Sequence, residues 1–136
     1  MSTRICAARF VRCAVAVVLS FFAIQGEARG GEAEPDRFPT GRIVERVPTR
    51  SDARFSFALY LPSGFDPGRS WPLLLVLDPR GRGALAAERF REPAEEYGWI
   101  IVSSNDTKSD DASTPNADIL QALWMDSFTR FPADPK

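Results

Sequence analysis

The chain has 136 residues, room for one small domain on the usual scale of ~100–200 residues. Hydrophobic residues make up 44% and charged residues 26%, a globular balance, and a net charge of −1 argues against a nucleic-acid binder driven by a strong positive field. There is no histidine, which excludes a complete Ser-His-Asp triad, a Cys-His dyad and any His-ligated metal site within these residues.

Arg4, Arg9 and Arg12 precede an uncharged stretch, Ala14 to Ile24, and Gly26 and Ala28 then supply small residues two apart. This is the basic, apolar and small-residue order of a secretory signal peptide. As a helix the apolar run spans about 16 Å, short of the ~20 residues a bilayer crossing needs. We expect cleavage after Ala28, giving a secreted or periplasmic protein with no membrane attachment. Cys13 precedes the apolar run, which excludes a lipid-modified cysteine. Both cysteines, Cys6 and Cys13, leave with the leader, so the mature chain has no thiol and no disulfide. Cleavage takes the basic residues from 17 to 14 and the acidic ones from 18 to 17, a net charge of −3. The ~108 residues left would bury only ~65% of their unfolded surface.

Arg29–Thr40 is polar apart from Phe38 and reads as a flexible leader (29–40). The spacing predicts an antiparallel hairpin over Arg42–Leu61, with Phe55, Phe57, Leu59 and Leu61 on one face of its second strand and Ser56, Ala58 and Tyr60 on the other. Leu73–Leu77 is continuously apolar, which predicts a strand covered on both faces in the middle of a parallel sheet. Pro79 ends it and Arg80-Gly-Arg-Gly follows as a loop. Leu85–Tyr97 reads as a helix with Ala87, Phe90, Ala94 and Tyr97 on its buried side, Pro93 predicting a kink or a late start, and Gly98 as C-cap. Trp99–Ser103 is a second buried strand. Ser104–Pro115 is a polar loop, and Asn116–Phe131 a helix with Leu120, Leu123, Trp124, Phe128 and Phe131 as its apolar stripe. Trp99 and Trp124 are expected in the core; for Trp71 the pattern is less telling. The strand-helix-strand unit predicts a parallel pair.

Gly81-Arg-Gly-Ala-Leu-Ala86 matches G-x-G-x-x-A between a strand and a helix, the form of a dinucleotide-binding turn, with Asp106 as the acid for a ribose. Against it, Asp78-Pro79-Arg80 separates the glycines from the strand end, and a hairpin precedes the strand. The plainer reading is that the glycines allow a tight turn and a close helix start. Asp106, Asp110 and Asp111 could attract Ca²⁺ but lack the D-x-[DN]-x-[DN]-G spacing. Asn105-Asp-Thr is a glycosylation sequon. No metal or cofactor is expected.

Taken in order, the elements resemble the start of an α/β-hydrolase, specifically the secreted esterase and polyhydroxyalkanoate-depolymerase-like branch. The residues that carry the resemblance are Tyr60-Leu-Pro-Ser-Gly-Phe-Asp-Pro, Trp71-Pro-Leu-Leu-Leu-Val-Leu-Asp-Pro-Arg-Gly-Arg-Gly, Tyr97-Gly-Trp-Ile-Ile-Val and Phe131-Pro-Ala-Asp-Pro-Lys, covering roughly 54–136. The resemblance implies an incomplete α/β-hydrolase fold over 41–136. It implies that the loop after the third strand gives one backbone N–H, that of Arg80, to an oxyanion hole, supported by Asp78, Gly81 and Gly83. Asp78 and Pro79 stand where His and Gly are common. It also implies that the Ser, acid and His of a triad follow residue 136, with a strand directly after Lys136, so that no catalytic residue is expected in this chain. A small or polymeric ester would be the substrate of the complete enzyme. Two alternatives remain: an exported non-catalytic binding module on a hydrolase scaffold, and a dinucleotide-binding α/β protein. No nucleic-acid partner is expected.

Overall fold

The computed structural model describes residues 37–134. The expected signal peptide (1–28) with its Ala28 site, and the leader up to residue 36, lie outside the described residues. The elements are β1 (Ile43–Pro48), β2 (Ser56–Tyr60), β3 (Leu73–Val76), α1 (Gly83–Tyr97), β4 (Ile100–Ser104) and α2 (Asn116–Arg130). They form one mixed sheet in the order β1-β2-β4-β3, an α/β architecture.

β1 and β2 make the expected antiparallel hairpin, with a bulge between Val44 and Val47. β4 lies antiparallel to β2 and parallel to β3, so the strand-helix-strand unit does give a parallel pair. The alternation in β2 sets the layers. Phe55, Phe57, Leu59 and Leu61 join Ile100, Val102 and the α2 residues Ile119, Ala122 and Leu123 in one core. Ala58 and Tyr60 join Ile101 and the α1 residues Ala87 and Ala94 in a second. The helices therefore cover opposite faces of the sheet. Fully burying a side chain such as Phe57 or Leu59 contributes roughly 1.5–3 kcal/mol.

Several expectations change. Among the described residues β3 is half-buried along its length and is the last named strand of the sheet, whereas all of β4 is buried. The buried side of α1 is built from Gly83, Ala86, Ala87 and Ala94, while Phe90 and Tyr97 are exposed. Small residues let the helix approach the sheet closely, and the aromatics move to its rim. α1 also starts at Gly83, ahead of the expected position, and runs through Pro93. Gly98 closes it in the left-handed conformation, φ 71°, its N–H donating to the Ala94 carbonyl. On α2 the buried set is Ile119, Ala122, Leu123, Asp126 and Ser127, so Leu120 and Trp124 face outward. Trp99 and Trp124, expected in the core, are 41% and 51% exposed, whereas Trp71 is buried and donates its indole N–H to the Asp66 carbonyl at 2.9 Å. Phe38, placed by sequence in the leader, packs on Phe131 with ring centroids 5.8 Å apart.

After α2 the chain returns to the sheet. The Trp71 N–H donates to the Pro132 carbonyl and the Asp134 N–H to the Trp71 carbonyl, both at 2.8 Å, and Trp71 and Ala133 form a parallel bridge. The segment thus runs beside the entry to β3 on the side away from β4. No helix among the described residues is long and apolar enough to cross a membrane.

Candidate functional site

The loop from Leu77 to Gly83 links the C-terminal end of β3 to α1. Its organising group is the Asp78 carboxylate. Asp78 Oδ1 accepts the Arg80 N–H at 2.8 Å, the Arg82 N–H at 3.3 Å and Arg82 Nε at 3.0 Å, while Oδ2 accepts Arg82 Nη2 at 2.9 Å. The Gly81 N–H closes the turn on the Asp78 carbonyl at 3.1 Å. The Arg82 guanidinium, followed by the Arg80 and Arg82 N–H groups, holds the Asp78 carboxyl far below the usual carboxylate range despite the opposing effect of burial. The loop is therefore an anion-binding turn whose bound anion is its own side chain.

Arg80, expected as an oxyanion donor, has its N–H directed at that carboxylate. An incoming oxyanion reaches the donor only when Asp78 Oδ1 yields its place. Gly81 and Gly83 serve close packing against the loop after β4. Gly81 has φ 65°, and a Cβ there would stand 2.5 Å from the Asn105 carbonyl oxygen. A Cβ on Gly83 would stand 2.3 Å from Asn105 Oδ1 and 2.7 Å from the Ser103 carbonyl oxygen. A pyrophosphate brought to these glycines would meet acceptor oxygens, which are electrostatically wrong for it. Asp106, the acid offered for a ribose, instead accepts the Ser56 N–H at 2.6 Å and Ser56 Oγ at 3.3 Å.

The polar loop after β4 packs on the turn. Thr107 Oγ1 donates to the Asp78 carbonyl at 3.0 Å, and the Ser109 N–H to the Pro79 carbonyl at 3.1 Å. Leu77, Asp78, Pro79, Thr107, Lys108, Ser109 and Asn116 enclose a shallow cavity of about 240 Å³ between the two loops. Asn116 anchors the far end, its Oδ1 accepting the Lys108 N–H and its Nδ2 donating to the Lys108 carbonyl. Asp110 and Asp111 accept from Ser109 and Ser113, and among the described residues no group of three metal-ligating side chains converges. The sequon is not open in the folded chain: Asn105 Nδ2 donates to the Glu45 carbonyl and to Ser56 Oγ, and Thr107 is buried.

Two further clusters were not anticipated from the sequence. Glu95 on α1 accepts the Tyr60 hydroxyl, the Ser63 N–H at 2.9 Å and the Ser63 hydroxyl. The Ser63 hydroxyl and then the Tyr60 hydroxyl hold the Glu95 carboxyl below its usual range, which makes it a weak base and leaves Ser63 unactivated. Burial, followed by Glu95, pushes the Tyr60 phenol up to about 12. Its folded-state pKa is raised above the unfolded value near 10. The contribution to stability is full below that value and is lost as pH rises through about 12. In a Tyr97→Phe background Tyr60 is the one remaining tyrosine of the chain, and absorbance titration should place its ionisation near 12. Glu95→Gln should lower it only part of the way, because burial is the larger cause; an ionisation near 10 in the Tyr97→Phe protein contradicts this.

The second cluster surrounds Asp126 of α2, which is 2% exposed. It accepts the Arg50 N–H at 2.9 Å, the Ser51 N–H at 3.3 Å and Arg130 Nη1 at 2.8 Å. Arg130 also donates to the Pro48 carbonyl at 3.0 Å and lies over the rings of Phe38 and Phe57. This pair fastens the β1–β2 turn to α2.

No protein-family model matches the sequence, and no curated protein matches it.

Proposed function

We propose that these residues form the N-terminal part of an exported α/β-hydrolase acting on carboxylic esters, small or polymeric, with the Asp78–Gly83 loop as one side of its oxyanion site. The observation that carries the reading is the sheet. A hairpin leads into β3 and β4, which are parallel, helices cover opposite faces, and the loop after β3 opens a helix at the strand ends. That is where this architecture draws an oxyanion N–H. The parallel bridge of Ala133 to Trp71 supports it further, since it leads the chain along the free side of β3.

The chemistry would be acyl transfer to water through a serine ester. These 136 residues contain no histidine and no serine in G-x-S-x-G, so they hold neither the usual base nor the nucleophile elbow. The loop's part is electrostatic: a backbone donor aimed at developing oxyanion charge, once Asp78 turns aside.

A second reading, an exported binding module without catalysis, is favoured by one observation: the Arg80 N–H already holds the Asp78 carboxylate. Hydrolysis of a short-chain p-nitrophenyl ester separates the two. The 136-residue chain should hydrolyse it no faster than a denatured control. A chain extended through a G-x-S-x-G and a later histidine should turn over, and replacing that serine by alanine should abolish the rate. Inactivity of the extended, folded chain sinks the hydrolase reading. Serine-dependent turnover by the 136 residues alone sinks the account of what they lack.

A further inference from the structure

Two cations face each other across the site loop. Arg80, in the turn after β3, and Lys108, in the loop after β4, form an antiparallel bridge. Residues opposed in this way put their side chains on the same side, with Cβ atoms ~4.5–5.5 Å apart, and like charges so placed repel. Both residues are exposed, and among the described residues neither is in an ion pair. The acids of the two loops are engaged elsewhere. Asp78 pairs with Arg82, Asp106 accepts the Ser56 N–H, Asp110 the Ser109 hydroxyl and Asp111 the Ser113 hydroxyl and N–H. Lys108 contributes least among the causes that lower the Asp111 carboxyl.

The two backbones cannot drift apart to relieve the repulsion. The Arg80 N–H is held by Asp78 Oδ1 at 2.8 Å, and the Ser109 N–H by the Pro79 carbonyl at 3.1 Å. Asn116 grips Lys108 by both its N–H and its carbonyl. The fold thus keeps two positive charges at a set spacing, beside the backbone donor already assigned to the oxyanion.

We propose that Arg80 and Lys108 together receive a carboxylate of the substrate, so that the ester taken by this site carries an acidic group near its scissile bond. The inference rests on the hydrolase reading and narrows its substrate class. A carboxylate offers about four lone-pair sites, enough to accept from a guanidinium and an ammonium at once. It also removes the repulsion between them, which a neutral ester leaves in place. The negative charge of Asp78 is matched by Arg82, so it does not cancel this attraction. Leu77 and Pro79 give the cavity that Lys108 lines, about 240 Å³, an apolar wall for a short acyl chain. Two kinds of ester present this chemistry: the half-ester of a dicarboxylic acid, and an oligoester, because each cut in a polyester leaves a carboxylate on the new acyl end.

Kinetics of the extended chain test it with two p-nitrophenyl esters: the half-ester of adipic acid, which carries a carboxylate, and the methyl ester of that compound, which does not. The half-ester should have the higher kcat/KM, through a lower KM. Lys108→Gln should reduce the ratio of the two kcat/KM values about 3–5-fold, and Arg80→Gln with Lys108→Gln at least about tenfold. Arg91→Gln, which removes a cation paired with Glu88 on α1, should leave the ratio where it was. A carboxylate-ended trimer of lactic acid, run alongside, names the source by whether it or the half-ester has the higher kcat/KM. A ratio near one, or a ratio the double variant does not move, overturns the proposal. If neither p-nitrophenyl ester turns over, the hydrolase reading fails, and the pair of cations is then tested by NMR titration of the 136-residue chain with monomethyl adipate. The Arg80 and Lys108 amides should shift to saturation in the range of about 1–10 mM, with no such shift for dimethyl adipate or in the double variant. No saturable shift with monomethyl adipate, or an equal one with dimethyl adipate, overturns the carboxylate site itself.

Discussion

Asp126→Ala is expected to lower the stability of the folded chain by about 3–5 kcal/mol, the usual cost of removing one partner from a buried ion pair. Such a loss is comparable to the whole stability of many small domains, ~5–15 kcal/mol. The side chains of Asp126 and Arg130 are only 2% and 5% exposed. Two backbone donors from the β1–β2 turn converge on the same carboxylate, so the substitution deletes the acceptor that ties this turn to α2. Asp126→Asn keeps the shape and one acceptor and should cost less, roughly 1–3 kcal/mol. Urea unfolding measures both. Asp110→Ala, on the exposed loop, should stay within about 0.5 kcal/mol of the parent. Equal midpoints for Asp126→Ala and Asp110→Ala would show that the buried pair does not hold the turn.

Asp126 also shows where sequence reading stops. An acid between Trp124 and Phe128 looks like an interruption of an apolar stripe. Its partners at Arg50 and Ser51 lie some 75 residues away, and only Arg130, four residues on, offers a local hint. Element identity was easier to read, because alternation over Phe55–Leu61 and continuous apolarity over Leu73–Leu77 and Ile100–Val102 are local properties. The order of strands was not: β3 and β4 have the same apolar character, and which of them inserts next to β2 is decided across the sheet. On α1 the large aromatics drew the reading toward Phe90 and Tyr97. The helix instead presses its alanines on the sheet, where small side chains permit the approach and carry little hydropathy signal. At the site, Asp78 and Arg82 are opposite charges close in sequence, so their pairing is legible, although they lie in a loop ahead of α1 and not on a helix. That the same carboxylate also takes the Arg80 N–H depends on the turn closed by Gly81, and only the fold shows it.

That turn carries the second large effect. Gly81→Ala should destabilise the chain by roughly 2–4 kcal/mol, combining the cost of a left-handed residue with that of overpacking. Gly81 has φ 65°, and the atom nearest to an added Cβ is a backbone oxygen, that of Asn105, at 2.5 Å. Asn105 cannot retreat freely, since its side chain is held by the Glu45 carbonyl and Ser56 Oγ. Gly81→Asn separates the two causes. Asparagine tolerates the left-handed region, so strain in φ alone would leave Gly81→Asn near the parent, whereas the contact with Asn105 makes it nearly as damaging as alanine. Urea midpoints for the two variants decide between these, and the contact should prevail. A phosphate-binding role for this glycine calls for a different pattern, with both variants folding at parental stability and losing only their affinity for a dinucleotide. The Asn105 carbonyl beneath Gly81 makes the first pattern the expected one, because the space a ligand would need is filled by the chain's own backbone.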